Sequence, residues 1–222
     1  VLGIVGAEGF LGHAYYGEKI EDVRGVDALM RIYENPFTPD TNARDRLSFF
    51  FFFPMEYSPN GVGAFRESSI RVKTKSGHSA VLLTYVSHEI YKGKEKPEGL
   101  PATFGAEDEV TTLAITCEDK VIGLKAILKY STFEKVDAIV RSVEIINDSA
   151  DSIVLNKVMS ACLDMDNRDF DTITLHGSWA RERHMERKAL GHGKHGVSSI
   201  RGEGGHQDHQ FLALLEKTAT QT

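Results

Sequence analysis

The sequence predicts an all-β protein, an antiparallel sandwich with few short helices. Three observations carry this: short runs in which apolar residues recur every second position, turn-forming residues between them, and a scarcity of helical spacing. The runs fall at residues 48–54, 69–75, 80–90, 110–117, 121–130, 138–146, 152–164 and 171–179. Asn60-Gly61, Ser76-Gly77, residues 94–101, Asn147-Asp148 and Asn167 separate them with the chemistry that reverses a chain. Within 121–130, Leu124, Ala126 and Leu128 share one face while Lys125 and Lys129 share the other, so one face is core and the other wet. Five consecutive phenylalanines, Phe49 to Phe53, put aromatic rings on both faces of the first run and predict that it is buried between layers or against a partner, with core packing the default. Helical spacing is convincing in residues 25–35, where Val26, Leu29, Met30 and Tyr33 align, and again in residues 211–217. The Gly-rich, His-rich stretch 191–209 is the one long irregular segment, and such loops on rigid sheets tend to carry function.

Composition narrows the possibilities. The 222 residues are 41% hydrophobic, enough for one sizeable core or two small ones, which excludes a disulfide-stapled miniprotein and a disordered tail. Lys and Arg total 26 against 32 Asp and Glu, a formal net charge of −6 that repels phosphate backbones, so nucleic acid is not an expected partner. Cys117 and Cys162 lie in apolar alternating runs without zinc spacing and read as small buried residues; neither a metal nor another cofactor is expected. No apolar stretch approaches the roughly 18 residues that span a bilayer. The chain opens at Val1 without an initiator Met and stops in the polar run 217–222, so a piece of a longer polypeptide is expected.

Several patterns look like chemistry. Gly6-Ala7-Glu8-Gly9-Phe10-Leu11-Gly12 has a dinucleotide-turn spacing, but it leads into the strand-like His13 to Gly17 where a helix is required, so nucleotide binding is disfavoured. Asp164 to Asp171 spaces carboxylates like a calcium loop, yet Asp169 and Leu175 stand where Gly and Glu are needed, which favours an acidic turn. His192, His195, His206 and His209 could chelate only from an ordered loop, and the surrounding glycines favour a solvated one. His195, Ser198 and Ser199 lack the strand–turn–helix setting of a nucleophile. Ser178-Trp179-Ala180-Arg181-Glu182-Arg183-His184 holds the only tryptophan among Arg and Glu; ring faces and guanidinium forks suit sugars and carboxylates, and serve equally as an interface anchor.

An ordered series of blocks makes the chain recognisable. Gly12-His13-Ala14-Tyr15-Tyr16-Gly17, Glu56-Tyr57-Ser58, Gly61-Val62-Gly63-Ala64-Phe65-Arg66, Tyr85 to Lys94 (YVSHEIYKGK), Leu100-Pro101-Ala102-Thr103, Leu175 to Arg183 and residues 198–211 follow one another. The series resembles the N-terminal domain of bacterial α-galactosidases of glycoside hydrolase family 36, from about Leu11 to Leu215. The resemblance implies a galactose mutarotase-like β-supersandwich over 1–222, cut short at its C-terminal end, with the catalytic (β/α)8 barrel absent from this chain. It also implies a parent enzyme that hydrolyses terminal α-linked galactose with retention through two barrel aspartates. This piece then supports oligomer assembly and sugar-site loops. Its partners would be galactose-containing oligosaccharides, its own barrel and further copies in a homo-oligomer, in the cytoplasm and away from membranes. Arg66, His206 and Gln207 are the implied substrate-binding residues; Trp179, Arg181 and Arg183 are read as interface or structural. Ala64 stands where the family pattern has an acidic residue, and a methyl cannot accept a sugar hydroxyl. Gly204, Gly205 and His209-Gln210 replace two serines and an Asn-Pro pair, which should loosen the loop. The alternative is a stand-alone, non-catalytic carbohydrate-binding or assembly module.

Overall fold

A computed structural model describes residues 2–5, 9–17, 20–24, 53–165 and 167–220. The helix expected at 25–35, the phenylalanines before Phe53, the glycine turn at 6–8 and Asp166 lie outside them. The described residues form eleven strands: β1 (Leu2–Val5), β2 (Leu11–Tyr15), β3 (Ile70–Thr74), β4 (Thr84–Lys92), β5 (Val110–Asp119), β6 (Leu124–Phe133), β7 (Ala138–Asn147), β8 (Ile153–Val158), β9 (Asp171–Ser178), β10 (Arg181–Ala189) and β11 (Asp208–Leu215). Every pairing is antiparallel, and a single 3-10 turn at Glu134–Val136 is the helical content among the described residues. The all-β prediction therefore holds.

The chain divides into two compact units, Val1–Asp164 and Met165–Thr222. In the first, β4-β5-β6-β7 form a meander in sequence order, β3 pairs with β8, and β1 pairs with β2. The alternation read from the sequence fixes the register: Leu124, Ala126 and Leu128 on β6 have no solvent exposure, while Lys125 and Lys129 between them ion-pair with Asp148 and with Glu95 and Glu144. Ile70 and Val72 of β3, Val81, Leu83, Ile115 and Cys117 pack with these residues into one cluster. Burying each large aliphatic side chain contributes about 1.5–3 kcal/mol. Phe10, Phe53 and Met55 make a second cluster, so the one described phenylalanine of the five is buried as expected. The β5–β6 turn needs Gly123, whose φ of 65° lies in the left-handed region and whose added methyl would come within 3.0 Å of the Ser149 backbone.

In the second unit β9 is central between β10 and β11. The helix predicted for 211–217 is a strand instead. Its Leu- and Ala-rich composition favours helix locally, but pairing Leu212 to Leu215 with Thr174 to Asp171 satisfies the backbone of both strands at an otherwise open edge. The strand expected over 152–164 ends at Val158, and the remainder to Asp164 is irregular. Cys117 is buried as read, whereas Cys162 is only partly buried.

Candidate functional site

Arg66, the sugar-contact residue expected in the first unit, follows the exposed Phe65 and ion-pairs through Nη1 with Asp164 Oδ2 at 2.5 Å. Its side chain stays 30% exposed. Ala64 is half-buried against the Phe10–Phe53–Met55 cluster. Its methyl thus makes apolar contact.

The second unit builds a cleft from the β9–β10 hairpin and the 191–207 loop. The hairpin turns through Trp179 and Ala180, with Ala180 at φ 61° and Arg183 at φ 62°, and the register breaks between Arg181 and His184. That bulge swings the strand start so closely under Gly177 that a methyl there would lie 2.2 Å from the Arg181 carbonyl oxygen. Only glycine fits. Trp179 is 82% exposed at the tip, and Arg181 and Arg183 are exposed beside it. Behind the tip, Glu182, Arg183, Gly204, Gly205, His206 and His209 line a cleft of about 590 Å³. The structure brings His206 and Arg183 together here. Gln207 anchors the loop through its backbone, since Gly177 N donates to Gln207 O at 3.1 Å, while its side-chain oxygen lies over Gly205.

Glu182 was not singled out from the sequence, yet it holds the cleft's negative charge. Its Oε1 accepts the Ala180 N–H at 2.8 Å, and that backbone bond, then its own N–H, then the His206 and Arg183 charges, hold its carboxyl below the usual range. Neutral acceptors and donors flank fixed charge of both signs, a set suited to hydroxyl-rich ligands. Among the described residues no group of three or more His, Cys, Asp or Glu converges on a metal-sized site.

Sequence reading also missed a buried polar knot in the first unit. Glu56, 3% exposed, accepts a hydrogen bond from His13 Nδ1–H at Oε2 over 2.8 Å and one from the Tyr130 hydroxyl at Oε1, with Arg141 Nη2 at 3.5 Å. The Arg141 guanidinium stacks 3.3 Å above the Tyr130 ring. Burial, reinforced by the Glu56 carboxylate, drives the Tyr130 hydroxyl well above its ordinary range, which leaves it a proton donor at any ordinary pH. A carboxylate wedged between Met55 and Tyr57 was the available signal.

Fold and cleft define an all-β module that offers an aromatic tip and a polar loop. Among known proteins, the sequence matches the glycosyl hydrolase family 36 N-terminal domain over residues 9–222. It is 37% identical to the α-galactosidase AgaA of Geobacillus stearothermophilus across 95% of this chain and 29% of that protein. It is 35% identical to the bifunctional α-galactosidase/sucrose kinase AgaSK of Mediterraneibacter gnavus, across 96% of this chain and 23% of that protein. The AgaA structure in complex with raffinose superposes with a TM-score of 0.88 at 36% identity, covering 98% of this chain and 30% of that one. The galactosidase domain of AgaSK gives 0.91 at 33% identity, covering 99% and 31%. This chain belongs to the glycosyl hydrolase family 36 N-terminal domain family, and it spans less than a third of the length of these relatives.

Proposed function

We propose that the chain is the N-terminal domain of an α-galactosidase that releases terminal α-linked galactose from oligosaccharides such as melibiose and raffinose. The domain contributes subunit contacts and sugar-facing loops, and a separate barrel contributes the chemistry. The carrying observation is the likeness over nearly the whole chain to proteins that bear that name, one of them solved with raffinose. Arg66, His206 and Gln207 are the residues proposed to touch sugar or a neighbouring subunit; Trp179, Arg181 and Arg183 are proposed to anchor a protein interface in a homo-oligomer. The exposed indole and guanidinium groups at the hairpin tip support that division. Both cysteines are free thiols, in keeping with a reducing, cytoplasmic setting.

The test compares two polypeptides, the chain alone and the chain with whatever its gene encodes downstream. Hydrolysis of p-nitrophenyl α-galactoside and raffinose by the longer one only, with KM for raffinose raised about ten-fold by Arg66→Ala or His206→Ala, is the expected outcome. Saturable raffinose binding by the chain alone, with no hydrolysis by the longer product, would establish a stand-alone binding module instead.

A further inference from the structure

His176 is a node of the second unit. Its Nδ1 lies 2.7 Å from Asp208 Oδ1 on β11, and its Nε2 lies 2.6 Å from Thr174 Oγ1 on the same strand and 3.5 Å from Glu186 Oε2 on β10. A carboxylate oxygen only accepts, so Nδ1–H donates to Asp208; in the neutral ring Nε2 then accepts the Thr174 hydroxyl, a tautomer assigned from its partners. His184 lies directly opposite on β10, and Lys188 pairs with Glu186 at 2.9 Å, so the charge around the ring is mixed.

The ladder is broken on both sides of this residue. Toward β10 the register slips between Arg181 and His184, and toward β11 it slips between Asp208 and Leu212. Asp208 is therefore separated from the continuous pairing that resumes at Leu212, and it is the residue at which the 191–207 loop rejoins the sheet. That loop has six glycines from Gly191 to Gly205 and no proline, so little in its own backbone restricts it. Its other end is tied by Leu190 N to Phe170 O at 2.8 Å. At the Asp208 end the ties include the backbone pairing of Asp208 with His176, the Gly177–Gln207 backbone bond and the His176–Asp208 side-chain bond, and a hydrogen bond to a carboxylate is the stronger kind.

We propose that His176 is a positioning residue: its bond to Asp208 fixes the base of the loop and so the direction in which His206 and Gln207 face their ligand. This rests on the reading of His206 and Gln207 as contact residues, but the ordering of the loop is measurable without any ligand.

Two variants separate the contacts. An Asn side chain places its amide nitrogen near the position of Nδ1, and a Gln side chain reaches the position of Nε2. His176→Asn keeps the donation to Asp208; His176→Gln loses it and keeps the contact with Thr174. In the intact chain, with the β spectrum in the far ultraviolet checked for each variant, tryptic cleavage after Arg201 reports the loop. Cleavage about ten-fold faster in His176→Gln and within about two-fold of wild type in His176→Asn is expected, as is acceleration in Asp208→Ala. Equal acceleration in both His176 variants, no acceleration in either, or loss of the β spectrum in both would overturn the proposal. Raffinose titration of the same samples is read separately. Absence of binding by wild type counts against the sugar contacts of His206 and Gln207, while the cleavage rates still decide the role of His176.

Discussion

β6 and β10 are nearly equal in length, ten residues against nine, and they are held in place by different physics. On β6 every second side chain from Leu124 to Tyr130 is buried. On β10 only Glu186 is even partly buried, and among the described residues of the second unit Thr172 alone falls in the buried class. The first strand is fixed by exclusion of water, the second by backbone pairing and by side chains such as Arg187. That guanidinium binds Asp171 at 2.7 Å and the carbonyl oxygens of Lys217 and Ala219 at 3.0 and 2.9 Å. The first unit thus has a dry interior, whereas the sheet of the second leaves Phe211, Leu212, Met185 and Trp179 exposed beside its charged side chains.

The sharpest break of that contrast is Glu56→Ala. It leaves the Arg141 guanidinium and the His13 ring without their shared acceptor in the core, and a loss of about 3–5 kcal/mol in urea unfolding is expected. Leu128→Ala, at a site with no exposure, should lose about 3 kcal/mol by the same measurement.

An alkaline shift acts on the same core. Burial pushes the Tyr57 hydroxyl up to about 12, and burial together with the Glu56 charge pushes the Cys117 thiol up to about 12. Both groups stay protonated when folded while the unfolded chain ionises from its ordinary range, so the folded state binds more protons and stability falls as pH rises from about 9 toward 12. Unfolding free energies from denaturant titrations at pH 8 and 11 should differ by roughly 4 kcal/mol. At pH 8 iodoacetamide should reach the partly buried Cys162 before Cys117.

Gly177→Ala forces a methyl against the Arg181 carbonyl and should lose about 1–3 kcal/mol, confined to amide exchange in β9, β10 and β11 with β6 unchanged. Met185→Ala on β10, 62% exposed, should change stability by less than about 0.5 kcal/mol. A loss as large as that of Leu128→Ala would show that β10 is cored after all.

The same contrast explains what could be read from the sequence. The strands from β3 to β9 were legible because water leaves a two-residue period in the residues that exclude it. Arg181 to Ala189 carries no such period, since Glu, Arg and Lys on an edge strand answer to cross-strand partners, and β10 was not foreseen. β11 was misread because Leu and Ala suit helix locally, while its partner lies some 35–45 residues earlier in the chain. His13, Glu56 and Tyr130 are 43 and 74 positions apart in their pairings, so only folding brings the knot together. His206, Arg183 and Trp179 were identifiable by residue type and block. In the sequence His209 is only one of several loop histidines, and Glu182 only part of a charged block; pairing of β10 and β11 with β9 brings the two into one cleft.

The single tryptophan has an optical consequence. An indole 82% exposed on a hairpin tip already emits at the red limit in the folded chain, so unfolding shifts its fluorescence little. Circular dichroism must follow the fold, which frees the emission of Trp179 for another use. A blue shift or a drop in iodide quenching would report that something has covered the tip, so the chain carries its own unlabelled sensor of docking.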